Sequence, residues 1–367
     1  MRRTRGIPGL VYRSVRGIAG LAGAALAAAQ RALAPRLSPR PSSPEREALL
    51  AALNGVLGDH LAASGNPLAL PMTLRSDGSD LELAPAALAR AFGSSRGRLV
   101  VLVHGLCRND LRWRRRGHDH GAALARDLGV VPLYLRYNSG LHVSTNGRAL
   151  AGLLETLCSA WPAPVEELAI VAHSMGGLVA RSACHYGRLA RQAWPARLRR
   201  LVFLGTPHHG APLERGGHGL EAVLGAMPYA AALARAGKLR SAGVTDLRHG
   251  YLLDEDWQGR DRFASASHPR RPVPLPAGVE CHALAATKGG RAGDLADRLL
   301  GDGLVPLASA LGEHPDPALD LHLPESRRWI AYGASHLDLL SSLSVYGELR
   351  DRLDGRGRAR PLSSSGR

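Results

Sequence analysis

Short and almost continuous apolar runs alternate along the chain with segments whose apolar residues recur at helical spacing. The runs predict buried strands and the intervening segments predict helices. Strands that are apolar throughout and alternate with helices are typical of a parallel sheet covered on both faces. The predicted strands are 98–105, 131–138, 168–173, 200–207, 279–287 and 327–335, and the predicted helices include 121–129, 146–161 and 337–353. The sequence therefore predicts an α/β fold whose site lies beyond the carboxyl ends of the strands.

Three regions interrupt this alternation. Residues 1–45 combine basic residues, a weakly apolar stretch and a linker rich in proline and serine. The segment from about 208 to 275 is rich in Gly, Pro, Arg and Ala and is too long for a plain connection, so we interpret it as an inserted cap or lid. The tail 355–367 has a composition typical of disorder. We therefore expect one α/β domain over residues 46–354, with this cap inside it.

The N-terminal segment has two interpretations. Apolar residues at helical spacing between Val11 and Ala22 favour an amphipathic helix, which either packs on the domain or lies on an anionic membrane. The alternative is a cleaved signal peptide with the apolar part GIAGLAGAALAAAQ, which is poor in Leu, Ile and Phe. The first interpretation predicts a cytoplasmic, membrane-associated protein, and the second predicts export. No segment has the roughly 20 consecutive strongly apolar residues that span a bilayer.

The formal net charge of +16 raises the question of a nucleic-acid partner. Lysine occurs only at 238 and 288, so the basic charge is arginine spread over every region, and no nucleic-acid recognition motif accompanies it. We therefore predict no nucleic-acid partner. The four cysteines lack metal-ligand spacing, and free thiols in a reducing compartment explain them more simply than two disulfides in an exported enzyme. The sequence predicts no metal and no cofactor, and it leaves the oligomeric state open.

The stretch LAIVAHSMGGLVARSA, residues 168–183, ends an apolar run at a serine with small neighbours. The apolar pattern resumes at helical spacing after Ser174, so this serine lies on a sharp turn between strand and helix. Such a turn needs small residues, here Ala172, Gly176 and Gly177, because a side chain at the wrong position would clash. The turn exposes the serine hydroxyl at the carboxyl edge of the sheet, as in a nucleophile elbow. An ordinary helix cap is the alternative interpretation.

A serine nucleophile needs a base and an acid that orients the base. His336 follows a predicted strand, with Ser335 and Asp338 at spacing typical of a helix start, which places it at the same edge. Asp302 lies in a Gly-Asp-Gly triplet that is also common in surface turns. The chain order Ser174, Asp302, His336 is the order of an α/β-hydrolase triad. We therefore predict these residues as nucleophile, acid and base.

The oxygen of a tetrahedral intermediate needs backbone donors. The amide of Met175, directly after the serine, is one candidate, and the amide of Leu106, which follows a predicted strand and a glycine, is the second. A glycine that merely ends a strand is the alternative at that loop. Additional residues at the same edge are predicted to contact substrate: His104, Gly105, His173, His208 and His209.

The motifs VLVHGL, AHSMGGLVARSA, LGTPHHGAP, GDGLVP and ASHLDLL together resemble the bacterial lipase and esterase branch of the α/β-hydrolases, in particular the GPI inositol-deacylase-like group. The resemblance covers roughly residues 95–350. It implies an α/β-hydrolase fold and a carboxylic-ester hydrolase with Ser174, Asp302 and His336 as the triad and with Leu106 and Met175 as oxyanion donors. The usual G-x-S-x-G motif begins with glycine, whereas Ala172 occupies that position here, and alanine is small enough for the turn.

The leading hypothesis is therefore a serine esterase or lipase that acts on an ester or lipid substrate through an acyl-enzyme. Two alternatives remain open from the sequence. One is a non-catalytic hydrolase-fold protein that binds lipid or a protein partner. The other is the same triad acting on thioesters or amides.

Overall fold

The structure is a computed structural model that describes residues 43–93, 97–211, 241–261, 269–291 and 301–354. The chain divides into two units, residues 1–49 and residues 50–367, and the first is described only from Ser43, just before a helix begins. The predicted amphipathic helix and the tail lie outside the described residues, as does much of the predicted cap. The domain boundaries therefore stay predictions.

The structure contains an eight-stranded sheet and its flanking helices. The strands are β1 (Thr73–Ser76), β2 (Ser79–Asp80), β3 (Arg98–Val103), β4 (Arg114–Arg115), β5 (His118–Asp119), β6 (Val131–Arg136), β7 (Glu167–His173), β8 (Leu198–Leu204), β9 (Glu280–Thr287) and β10 (Arg328–Tyr332). The helices are α1 (Pro44–Ala63), α2 (Pro85–Phe92), α3 (His120–Leu128), α4 (Val143–Ala160), α5 (Met175–Leu189), α6 (Ala242–His249), α7 (Leu307–Leu311) and α8 (Leu343–Asp354).

The sheet has the order β10-β9-β8-β7-β3-β6-β1-β2, and a separate two-stranded ribbon is formed by β4 and β5. The six strands from β10 to β6 are parallel, whereas β1 pairs antiparallel with β6 and with β2. The predicted sheet of mainly parallel strands is therefore confirmed. Strands β1 and β2 were not predicted, because four and two residues carry too little apolar pattern to be recognised.

Both faces of the parallel strands are buried, as their continuous apolar sequences require. One face packs with α3 and α8 in a cluster that includes Val100, Leu102, Leu124, Val171, Val202 and Leu349. The intervening residues, such as Val101 and Ile170, are buried as well. Helix α5 packs against α4 and also contacts β3 and β7. None of the helices in the described ranges is long and apolar enough to cross a membrane.

The prediction of a last helix over residues 337–353 is wrong at its start. A short 3-10 turn covers Asp338–Leu340, and α8 begins only at Leu343. The Asp338 carboxylate accepts hydrogen bonds from the amide and the hydroxyl of Ser335, at 3.0 and 2.6 Å. These bonds close a compact turn around His336, and a regular helix does not start there.

Candidate active site

Ser174 occupies a strained turn between β7 and α5. Its backbone has φ 55° and ψ −128°, a conformation that residues other than glycine rarely adopt. The neighbouring glycines make this turn possible, because a Cβ on Gly176 would lie 2.5 Å from the carbonyl oxygen of Val103 and one on Gly177 would lie 2.0 Å from Oγ1 of Thr206. Such strain persists only where the surrounding structure enforces it and is characteristic of functional sites.

His336 and Asp302 form a buried hydrogen-bonded pair. Nδ1 of His336 lies 2.6 Å from Oδ2 of Asp302, and the two residues are 5% and 2% exposed. The other carboxylate oxygen of Asp302 accepts hydrogen bonds from the amides of Leu304 and Val305, at 2.9 and 2.8 Å. The amide of His336 in turn donates to the Asp302 carbonyl at 3.2 Å. The carboxylate is therefore fixed on both sides, and it orients the imidazole through Nδ1.

The strand β8 brings this pair to the same edge as Ser174. The amide of Ser174 donates to the carbonyl of Leu204, the last residue of β8, at 2.9 Å. A Cβ on the next residue, Gly205, would lie 3.1 Å from Nδ1 of His336. Consecutive residues of one strand end therefore contact both the serine turn and the imidazole. In the part of the chain that the structure describes, no hydrogen bond joins the Ser174 hydroxyl to His336.

The two predicted oxyanion donors belong to segments that adjoin Ser174. Met175 is the first residue of α5, so its amide precedes the intrahelical hydrogen bonds. Leu106 follows Gly105, where an added Cβ would lie 2.9 Å from Cβ of Ser174. Both residues are buried. Within the described ranges, no backbone hydrogen bond from either amide is seen. Their role as oxyanion donors stays a prediction.

Part of the chain is similar in sequence to a known protein family. Residues 95–271 match the sequence model of the family described as PGAP1-like alpha/beta domain. This region, which is just under half of the chain, is therefore similar to a PGAP1-like alpha/beta domain. No curated protein sequence matches the chain.

Several solved hydrolases are similar in structure to this chain. The mature lipase BlEst2 of Bacillus licheniformis is 19% identical over 76% of this chain and 98% of its own, with a TM-score of 0.45. A metagenomic carboxyl esterase is 19% identical over 89% and 98%, with a TM-score of 0.40. Aspergillus fumigatus lipase B is 14% identical over 76% and 60%, with a TM-score of 0.42.

Two of the predicted substrate contacts, His104 and His173, are buried histidines within residues 95–271. His104 stacks on Tyr137 with ring centroids 4.3 Å apart, and burial lowers its pKa to about 4. Nε2 of His173 lies 3.2 Å from the carbonyl oxygen of His336, and burial lowers the pKa of His173 well below 6.5. Both rings are therefore neutral at physiological pH, and His173 supports the turn that carries His336. Their contact with substrate stays a prediction.

Two further predicted contacts, His208 and His209, follow β8 and form a cluster with two arginines. Nη1 of the buried Arg181 lies 3.3 Å from Nδ1 of His208. Arg270 donates to the His208 carbonyl at 2.9 Å and also to Nδ1 of His209. Burial lowers the pKa of both histidines, that of His209 to about 4. The structure thus gives these histidines neighbours within the protein, and their role toward substrate stays a prediction.

Sequence reasoning missed two features at this edge. Nδ1 of His142 lies 3.0 Å from Oδ2 of the fully buried Asp246, which links the loop after β6 to α6. The second feature is Arg108, a buried arginine two residues after Leu106. The run CRNDLRWRRR contains that arginine but does not indicate which of its charges is buried. Among the described residues, no group of three His, Cys, Asp or Glu side chains could hold a metal ion.

Proposed function

We propose that the protein hydrolyses carboxylic esters through an acyl-enzyme on Ser174. One observation carries the proposal: a serine in a strained strand-to-helix turn lies at the same sheet edge as the His336–Asp302 pair, whose ring nitrogen and carboxylate oxygen are 2.6 Å apart. The similarity of residues 95–271 to the PGAP1-like alpha/beta domain supports it, and the chain order serine, acid, histidine is that of α/β-hydrolases.

Acylation begins when Oγ of Ser174 attacks the ester carbonyl carbon. The hydroxyl proton passes to Nε2 of His336, and Asp302 stabilises the resulting imidazolium through Nδ1. The amides of Leu106 and Met175 bind the negative oxygen of the tetrahedral intermediate, and each such donor contributes roughly 3 kcal/mol of transition-state stabilisation. The carbon–oxygen bond to the alcohol then breaks, and the alcohol leaves with the proton from His336.

Deacylation repeats these steps with water. His336 removes a proton from a water molecule that attacks the acyl carbon, the oxyanion forms again at the same amides, and the serine oxygen leaves with that proton. The products are a carboxylic acid and an alcohol. An ester or lipid molecule is therefore the expected substrate class.

The test is the change Ser174→Ala. We expect kcat for p-nitrophenyl esters to fall by roughly 10⁴ to 10⁶, because the acyl-enzyme can no longer form. Circular dichroism and thermal unfolding verify that the variant folds. The exposed Ser159, whose hydroxyl bonds only the Thr156 carbonyl, gives the matched control Ser159→Ala, which should keep full activity.

A fluorophosphonate probe provides a second readout. It should label Ser174 in folded wild-type protein and fail to label the alanine variant. Turnover near the wild-type rate in Ser174→Ala, or an unlabelled folded wild type, contradicts the proposal, and the second outcome favours a binding protein. Thioester and amide analogues at equal concentration show whether the ester is the preferred bond.

A further inference from the structure

Arg108 is a buried arginine in the loop that carries the proposed oxyanion donor. It lies two residues after Leu106 and is only 7% exposed. Burial is the main reason that its pKa falls to about 10, so the guanidinium still carries its charge near neutral pH. Removing such a charge from water is costly unless an opposite charge compensates it.

Arg75 provides an internal comparison, because it has the same exposure of 7%. Its guanidinium pairs with two carboxylates, Asp80 at 2.8 Å and Asp110 at 3.0 Å. Arg108 makes no hydrogen bond or ion pair with any described residue, and after burial the like charge of Arg112 has the largest effect on its pKa. Among the described residues, these two arginines of equal burial therefore differ in their partners: Arg75 has carboxylates and Arg108 has none.

Arg108 lies in the loop that borders the reactive serine. That loop follows β3 and begins with His104 and Gly105. The charge of Arg108 also contributes to the low pKa values of His104 and His173. His173 directly precedes Ser174, and His104 directly precedes the glycine that packs on Ser174. No nitrogen of Arg108 is both closed off from solvent and without a partner. Because these nitrogens make no bond within the described residues, each of them keeps some exposure to solvent.

We propose that Arg108 binds a negatively charged group of the substrate, a carboxylate or a phosphate, next to the scissile ester. This inference rests on the proposed function and narrows its substrate class to anionic esters. The planar guanidinium suits both groups, because its paired N–H donors match two oxygens of one anion. A substrate anion would supply the missing countercharge, and the partly desolvated position would strengthen that contact.

Matched pairs of esters test this preference. Mono-p-nitrophenyl adipate and p-nitrophenyl hexanoate differ in a terminal carboxylate, whereas 1-oleoylglycerol 3-phosphate and 1-oleoylglycerol differ in a phosphate. For each pair the measured quantity is the ratio of kcat/KM for the anionic ester to that for the neutral ester. We expect the wild-type ratio to exceed one for at least one pair, and the pair with the larger ratio identifies the anion.

Arg108→Gln should lower that ratio by roughly 10- to 100-fold, since the lost contact is a hydrogen bond to a charged group. Arg108→Lys keeps the charge and should recover part of the preference. The exposed Arg126, which pairs with Asp127, gives the control Arg126→Gln with an unchanged ratio. A wild-type ratio of one or less for both pairs, or equal ratios in wild type and Arg108→Gln, overturns the inference.

A binding experiment separates this inference from the proposed reaction. Calorimetry on Ser174→Ala, with and without Arg108→Gln, compares decyl phosphate, decanoate and decanol. We expect an anion to bind more tightly than decanol and to lose roughly 10- to 100-fold in affinity with Arg108→Gln. If wild type hydrolyses no ester, the proposed function fails and these affinities still decide the inference; three equal affinities overturn it. Because Arg108 has no counter-anion in the part of the chain that the structure describes, Arg108→Gln should unfold at or above the wild-type temperature.

Discussion

Two histidine–aspartate pairs lie beyond the carboxyl ends of the strands, and they differ in what surrounds the imidazole. In the first, Nδ1 of His336 bonds Asp302 at 2.6 Å, and the ring packs beside His173 with centroids 4.6 Å apart. In the second, Nδ1 of His142 bonds Asp246 at 3.0 Å. Each pair joins segments far apart in the chain, 34 and 104 residues respectively. The pairing chemistry alone therefore does not separate them.

The surroundings of His142 are those of a structural contact. Its ring lies flat on Trp257 with centroids 3.6 Å apart, and the indole nitrogen of Trp257 donates to the hydroxyl of Ser144. Asp246 also accepts the amide of Val143, the first residue of α4, at 2.7 Å. Burial raises the pKa of Asp246, and the bonds from His142 and Val143 oppose that shift. This pair fastens α6 to the start of α4.

The two pairs are distinguished by the geometry of the nearby serine and not by the histidine–aspartate bond. Ser174 has φ 55° and contacts a strand end that also contacts His336. Ser144 lies inside α4, where its hydroxyl accepts a hydrogen bond from Trp257. We therefore expect changes at Asp302 to act on catalysis and changes at Asp246 to act on stability.

The largest expected effect is that of Asp302→Asn. The amide keeps the shape of the side chain but no longer stabilises an imidazolium and can favour the wrong tautomer of His336, so kcat should fall by roughly 10⁴. Steady-state hydrolysis of a p-nitrophenyl ester measures it. Thermal unfolding close to that of wild type shows that the fold is kept. A decrease of less than about tenfold would contradict the catalytic assignment of this pair.

The sequence predicts the first pair better than the second, for physical reasons. Ser174, Asp302 and His336 each lie near a strand end, and strand ends can be read from apolar runs and small residues. The partnership of His142 with Asp246 is tertiary, and no local pattern at either residue indicates it. Nor can the sequence show that Arg108 has no counter-anion among the described residues, because that depends on which side chains surround it in the folded protein.

Helix α1 shows the same limit. Gly55 and Gly58 lie where a Cβ would meet Sγ of Cys107 at 2.1 Å and Oδ1 of Asn138 at 1.8 Å, so this helix approaches two loops of the active-site edge closely. The small residues at helical spacing were present in the sequence, but the surfaces that require them are formed by residues more than 50 positions away. A packing requirement of this kind becomes readable only when both surfaces are known.

Asp246→Asn should have the next largest effect, on stability. The carboxylate accepts hydrogen bonds from Nδ1 of His142 and from the amide of Val143, and an amide side chain cannot accept both equally well. We expect the free energy of unfolding to fall by about 1 to 3 kcal/mol, measured with urea. The change in kcat should stay below about tenfold.

The exposed Glu255, 3.5 Å from Arg271, provides the control Glu255→Gln, which should change stability by less than about 1 kcal/mol. A loss of activity in Asp246→Asn as large as that of Asp302→Asn would remove the distinction between the two pairs. Stability equal to that of wild type would show that the second pair does not fasten α6.

His104 extends the comparison to a buried histidine at this edge without a carboxylate. Burial lowers its pKa from 6.5 to about 4, and Arg108 and Arg136 add to that shift, whereas a bond to the Gly105 carbonyl opposes it. Between these two pKa values the unfolded chain binds a proton that the folded protein excludes. The free energy of unfolding therefore falls as the pH drops below about 6.5, and the loss from this group levels off below about 4.

His104→Gln should remove this part of the acid sensitivity. Near pH 5, His104 lowers the free energy of unfolding by about 2 kcal/mol. The decrease in this free energy between pH about 7.5 and about 5 should therefore be smaller in the variant by that amount. Urea unfolding at both pH values measures the difference, with the exposed His60→Gln as control. Because the comparison is a difference of differences, any constant cost of the substitution cancels. An equal decrease in wild type and variant would mean that His104 takes up its proton as readily in the folded protein as in the unfolded chain.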